Sequence, residues 1–362
     1  MDLRPAPIPG YLNRRSGFET QRPWHYATMP GRRPYRQVID GVPRCPMVDP
    51  DIFRKSLSFR AANGDVVLHT YPKSGSHWIQ YITQLILNSG ERISTYSEFT
   101  QNFRAIEYTD CTNWNSDLPL RLFLTHQPLQ RETMNKAAKY IYTARNPWDV
   151  CASQYRMTTE LTIGQFQDGT FEEFFDPFIE GDLGYGNYFD HVASGYALKN
   201  ESNVFFVTYE ELKKDIRDVV LRLGHFLGEG YGRALESDHQ MLQNVMEWSK
   251  AENMRKVIVF DLKGNQVSEW DDLFKRNKLQ SKYGVDGDKS KQYRKKAIRH
   301  HSWNSGRTYE QRQSLYPACL SKTRKGHQKR HPGALSMLDV NTDLYRPGNT
   351  SNAGSETIPP SH

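Results

Sequence analysis

The chain has 362 residues, of which 37% are hydrophobic and 12% aromatic, and its formal net charge is +7. The aromatic content excludes a disordered chain, and the length bounds the fold to one large domain or two modest ones. No run of roughly 18 apolar residues occurs, which excludes a transmembrane helix. The start carries prolines at Pro5, Pro7 and Pro9 in place of the apolar stretch of a secretory signal. Four cysteines (Cys45, Cys111, Cys151 and Cys319) stand far apart. Their spacing has no metal-like pairing and no disulfide density, so cytosolic thiols and a cytoplasmic location are expected.

Residues 1–40 are rich in Arg and Pro and are expected to form a loosely ordered extension. The patterned block runs over 41–325, and the Pro-, Ser- and Gly-rich stretch 326–362 is expected to be a disordered tail. Within the block, the first apolar run is Asp65–Tyr71, a buried strand, and Trp78, Ile79, Ile82, Leu85 and Ile86 follow at helical spacing. Arg121–Thr125 is the second strand and Lys139–Ala144 the third, with a helix from Asp149 onward. Asn203–Tyr209 is the fourth strand, followed by a helical pattern over Glu211–Leu227. Strands alternating with helices predict an α/β fold, three-layered, with a central parallel sheet. In such sheets ligands bind beyond the carboxyl ends of the strands.

Chemistry-capable residues stand at each of those ends. After the first strand comes Tyr71-Pro72-Lys73-Ser74-Gly75-Ser76-His77-Trp78. A small-residue turn with a lysine before a helix start makes an anion site, from turn N–H groups, the helix dipole and a full charge. It lacks the glycine spacing of a nucleotide-triphosphate P-loop. His126 follows the second strand and precedes Pro128, the position of a general base working near neutral pH. Arg145-Asn146-Pro147 follows the third strand, with Asn146 as N-cap, Pro147 at the first helical position, and Ser153 about two turns on. Tyr209 ends the fourth strand. Each taken alone has an ordinary structural reading too: a turn, a satisfied histidine, a cap, a packing tyrosine. Together they predict a phosphorylated ligand beside an acid–base residue. No spacing of Asp, Glu or His calls for a metal.

The Tyr-Pro-Lys-Ser-Gly-Ser-His-Trp segment resembles the phosphosulfate-binding loop of the cytosolic sulfotransferases. Gly41-Val42-Pro43, Thr125-His126, Tyr142–Ser153, Gly184–Val192, Val207–Glu210 and Leu212–Gly228 follow in that family's order, and the similarity covers about 37–325. The resemblance implies a P-loop-like phosphosulfate-binding loop and, as co-substrate, 3′-phosphoadenosine-5′-phosphosulfate, with no metal. It implies that Lys73 holds the oxygen bridging sulfate and 5′-phosphate, with Ser74, Gly75, Ser76 and His77 cradling that phosphate and Trp78 near the adenine. Arg145 and Ser153 would grip the 3′-phosphate, Tyr209 would contact the adenosine, and His126 would take the acceptor's proton.

The chain also departs from the family. The family lysine two positions before the histidine is Leu124 here. The late Arg-Lys-Gly phosphate loop best matches Arg299-His300-His301, with its glycine lost. The family's dimer motif is not recognisable, and the oligomeric state stays open. The expected partner is a small acceptor (a phenol, alcohol or amine), its pocket built from Tyr155–Gln167 and Phe171–Tyr188. The alternatives are a nucleotide-binding relative with little or no turnover, for which Leu124 speaks, and a small-metabolite kinase. A kinase needs a triphosphate loop and magnesium ligands, and the sequence shows neither. Between Lys291 and Arg330 twelve Lys or Arg face one acid, Glu310. Few aromatics interleave there, so neither a nucleic-acid nor a membrane partner is expected.

Overall fold

Asp65–Thr70 is six residues long and every one of them is buried, because it runs through the middle of a five-stranded parallel sheet. The computed structural model describes residues 32–258. The expected tail, the basic block, Arg299 and residues 1–31 of the expected extension lie outside those residues.

In chain order the elements are β1 (Gln37–Ile39), β2 (Val42–Arg44), α1 (Pro50–Leu57), β3 (Asp65–Thr70), α2 (Ser76–Leu87), α3 (Tyr96–Gln101), β4 (Phe103–Ala105) and β5 (Arg121–Thr125). Then come β6 (Lys139–Ala144), α4 (Pro147–Glu160), α5 (Phe171–Glu180), α6 (Tyr188–Ala197), β7 (Val204–Thr208), α7 (Tyr209–Lys214), α8 (Ile216–Leu227), α9 (Glu229–Ser237), α10 (His239–Trp248) and α11 (Ala251–Val257). β1 and β2 form a separate antiparallel pair.

The sheet order is β4-β5-β3-β6-β7, and all its pairs are parallel. The four strands expected from the sequence are present. The fifth, β4, covers three residues, too few to show an alternating pattern. Alternate residues of β3 point to opposite faces. Val66 and Leu68 join the apolar cluster of α2, α8 and α10, whereas Val67 joins the aromatic cluster of α4, α5 and α6. The helix read over Glu211–Leu227 is two helices. Asp215 breaks it by ending α7 and accepting the Asp218 N–H as N-cap of α8 at 3.0 Å.

Register decides what meets at the carboxyl edge. Leu68 pairs with both Leu124 and Ile141, and Ala144 with Thr208. The residues just past these pairs therefore share one edge. From β3 the chain passes to β4, beyond β5, and from β6 to β7 on the other side, so the crevice lies between β3 and β6, where such sheets bind ligands.

Candidate active site

The loop after β3 is shaped by two residues in the left-handed region, Lys73 at φ 72° and Gly75 at φ 102°. Gly75 is needed there: a Cβ on it would stand 2.9 Å from Cδ2 of the Tyr209 ring. Gly75 is also the N-cap of α2: it offers no side-chain cap to the first turn, and its carbonyl accepts the Trp78 N–H at 2.9 Å. Ser74 is fully buried and its hydroxyl has no hydrogen-bond partner among the described residues. Ser76 Oγ lies 2.5 Å from Thr70 Oγ1. His77 packs edge-on to Phe99, and the Trp78 ring lies 5.2 Å from that of Tyr209. Burial, and then the Arg145 charge, push Lys73 down to about 8. A half-buried lysine beside an arginine is a site that favours an anion.

Asn146 caps α4 by accepting the Trp148 N–H at 3.0 Å, with Pro147 next, as the sequence predicts. That cap aims Arg145 back across the crevice. Its Nη1 donates to the Lys73 carbonyl at 2.9 Å, its Cζ stands 4.2 Å from the Tyr209 ring centre, and Nη2 is 3.8 Å from Asp149. Its Nε is buried with no partner among the described residues. The Tyr188 hydroxyl donates to the Arg145 carbonyl, and Glu210 accepts the Asn146 N–H at 3.0 Å. Ser153 lies on α4, half-buried.

His126 stands one residue past β5, half-buried. Its Nδ1 lies 2.7 Å from the Thr70 carbonyl. A carbonyl only accepts, so Nδ1 carries the hydrogen and Nε2 keeps its lone pair. Burial pushes this imidazole down to about 4, with a smaller push from the Lys73 charge. It is therefore neutral at pH 7. Tyr108 and Tyr185 stand edge-on to it, with ring centres at 6.4 Å and 5.9 Å. The arrangement joins an anion-binding loop, two cations and an unprotonated nitrogen at one edge, the parts needed to hold a phosphorylated donor and take a proton.

Lys73, the Ser74–Trp78 turn, Arg145 and Tyr209 thus come together as the sequence predicts, with His126 near Lys73. The expected acceptor pocket is corrected in part. Phe166, Phe174 and Phe178 are fully buried and pack with one another and with Tyr188 in the aromatic core. Tyr185, from the same stretch, is placed beside His126. Leu124 is packed in the apolar cluster at 7% exposure and brings no charge to the site. Sequence reasoning missed Thr70, Glu107, Tyr108 and His191. Thr70 lies in the first apolar run and His191 in the Gly184–Val192 segment, but neither pattern assigns them a role, and only the fold brings the four to His126.

Among the described residues no helix is long and apolar enough to cross a membrane, and no three His, Cys, Asp or Glu side chains are grouped to hold a metal. A sulfotransferase-domain family model matches residues 63–300. The chain is 34% identical over 189 residues to the amine sulfotransferase of Oryctolagus cuniculus, covering 50% of this chain and 62% of that protein. The match therefore spans less than two thirds of that relative. It is 30% identical over 251 residues to sulfotransferase 1B1 of Mus musculus, covering 60% of this chain and 84% of that one. A solved mouse sulfotransferase complexed with PAP aligns at 22% identity and a TM-score of 0.47, covering 69% of this chain and 96% of that one. The family match runs through the ends of β3, β5, β6 and β7, where the crevice is built, and the chain belongs to the sulfotransferase-domain family.

Proposed function

We propose that the chain is a sulfotransferase that moves a sulfuryl group from 3′-phosphoadenosine-5′-phosphosulfate to a hydroxyl or amine of a small acceptor in the cytoplasm. The observation that carries this reading is the orientation of His126, whose Nδ1–H is fixed on the Thr70 carbonyl while the same strand, β3, leads into the Lys73 loop. Base and anion site thus hang from one rigid element.

In the reaction the acceptor oxygen or nitrogen attacks sulfur in line. The bond from sulfur to the oxygen bridging it to the 5′-phosphate breaks, and the acceptor's proton goes to His126 Nε2. The products are the sulfated acceptor and 3′,5′-diphosphoadenosine. Lys73 neutralises charge growing on the leaving oxygen, and the first-turn N–H groups of α2 with the Ser74 hydroxyl hold the 5′-phosphate. Arg145 and Ser153 take the 3′-phosphate; the family resemblance would add Arg299, which lies outside the described residues. Tyr209 and Trp78 flank the adenosine. A sulfuryl group carries less charge than a phosphoryl group, which suits a site built from lysine and dipoles. Positioning does most of the work in such transfers.

The test is thermal unfolding with 3′,5′-diphosphoadenosine against ADP and ATP with magnesium, then labelled-sulfate transfer to phenols, alcohols and amines. A ligand at 100 times its dissociation constant adds about 2.7 kcal/mol to the folded state. A shift with the diphosphate and transfer to any acceptor is expected. A shift only with ATP and magnesium would overturn the reading.

A further inference from the structure

We propose that Glu107 is a positioning residue that aims His126, acting on its main chain; the inference rests on the reading of His126 as general base. Glu107 lies two residues past β4. The Ile106 N–H donates to the Leu124 carbonyl at 2.9 Å, which carries the β4–β5 ladder one step further and sets Glu107 beside the end of β5. There its side chain turns inward, and the residue is 4% exposed. One carboxylate oxygen, Oε1, accepts both the Thr125 hydroxyl at 2.6 Å and the His126 N–H at 2.7 Å. Thr125 Oγ1 in turn accepts the Gln127 N–H at 3.1 Å. A single buried oxygen therefore fixes three consecutive residues where β5 leaves the sheet. Without it, the His126 N–H would be an orphan donor in the interior.

The other side of His126 is held as well. The His191 ring, 1% exposed, lies with Nε2 3.2 Å from the His126 carbonyl and so donates to it, while its Nδ1 lies 2.6 Å from the Tyr142 hydroxyl. Both peptide groups flanking the His126 Cα are thus pinned, and the imidazole is confined to the arc in which Nδ1–H meets Thr70. Bonds to a carboxylate are short and strong, which suits it to holding two donors on one atom. Glu107 Oε2 is buried with no hydrogen-bond partner among the described residues. Burial pushes the acid up from the ordinary carboxylate range. A buried carboxylate is expensive to keep for stability alone. A misplacement of about 1 Å in a catalytic group can cost on the order of 100-fold in rate, which gives such a clamp its use.

The experiment compares Glu107→Ala and Glu107→Gln in the full chain. Gln keeps an oxygen able to accept both bonds, and Ala keeps none. Expected for Ala is a fall in kcat of about 10- to 100-fold, with affinity for 3′,5′-diphosphoadenosine within about threefold of wild type. Gln restores kcat to within about threefold. In parallel, nitrogen-resolved NMR of histidine-labelled protein, assigned with His126→Asn, reads the tautomer directly. Wild type and Gln show His126 with hydrogen on Nδ1, and Ala shows a mixture.

An unchanged His126 tautomer in Glu107→Ala overturns the proposal. So does Gln failing as badly as Ala, or a loss of donor affinity equal to the loss of kcat. If Ala does not fold, Glu107→Asp, one methylene shorter, is expected to disturb the tautomer in the same direction. If wild type transfers sulfate to no acceptor, the functional reading fails, and the NMR comparison still decides whether Glu107 aims His126.

Discussion

Arg145 Nη1 donates to the main-chain carbonyl of Lys73 at 2.9 Å, so one cation of the crevice holds the backbone of the other. Lys73 sits at φ 72°, a conformation a lysine adopts only when its surroundings hold it there. Arg145 supplies part of that hold while its guanidinium stacks 4.2 Å from the Tyr209 ring centre. Arg145→Lys therefore removes the fork and the stacking together, although the charge stays. Affinity for 3′,5′-diphosphoadenosine is expected to fall about 10- to 100-fold in Arg145→Lys, measured by calorimetry. An affinity within twofold of wild type, on the order of 0.4 kcal/mol, would remove Arg145 from the site.

Lys73 predicts a pH dependence of donor binding. Burial brings its ammonium down to about 8 in the free protein. A bound anion favours the charged form and raises that value again. Below pH about 8 the lysine is already charged and affinity is flat. Above it, binding must take up one proton, and affinity is expected to fall about tenfold per pH unit until the raised value is reached. Titrating 3′,5′-diphosphoadenosine binding from neutral to alkaline pH checks this. Lys73→Met should bind weakly at every pH and lose the slope, and a variant that kept the slope would assign the proton to another group.

Much of this was legible in the sequence because parallel strands buried on both faces are written as unbroken apolar runs. β3, β5, β6 and β7 stand out for that reason, and with them the residues that follow each strand. Asn146 and Pro147 announce the start of α4 by cap chemistry alone. What stayed hidden depends on tertiary approach. Glu107 has no periodic neighbour and gains meaning only when β4 is laid beside β5. His191 lies on α6, 65 positions from the carbonyl it holds. The aromatic stretch Phe171–Tyr188 shows the opposite limit. Its composition suits a pocket wall and a core equally well, and the packing of Phe174 and Phe178 decides for the core.

His126→Ala is expected to abolish transfer, a loss of at least about 100-fold, while donor binding stays near wild type, because a general base acts in the transition state. The imidazole is held at about 4, so kcat/KM should be flat near neutrality and fall on an acid limb between about pH 5 and pH 4. The sign follows from the chemistry, since protonation removes the Nε2 lone pair. Labelled-sulfate transfer across the acid range measures the limb. A limb near the ordinary histidine value, or donor affinity lost in step with rate, would assign His126 another role.

Stability should also follow the buried histidines. His69 donates from Nδ1 to the Gln127 carbonyl at 3.0 Å, and His191 spans Tyr142 and His126. Burial holds His69 at about 4 and His191 at about 3, below the ordinary histidine value of 6.5. Between those limits the unfolded chain binds more protons than the folded one. The stability these histidines contribute is therefore complete above about pH 6.5 and is lost as pH falls toward 4 and then 3. Each contributes a slope of about 1.4 kcal/mol per pH unit in that window, before most carboxylates begin to titrate. Urea unfolding at neutral pH and at two points down to about pH 5 reads the slope. His191→Gln, which keeps a donor for the His126 carbonyl, should lower stability at neutral pH and remove one histidine's share of the acid loss. His126, held at about 4, adds to the same loss, and Glu107 and Glu210, raised by burial, oppose it, so the deciding comparison is between the two proteins. An equal acid loss in wild type and His191→Gln would mean that His191 is not held neutral by the fold.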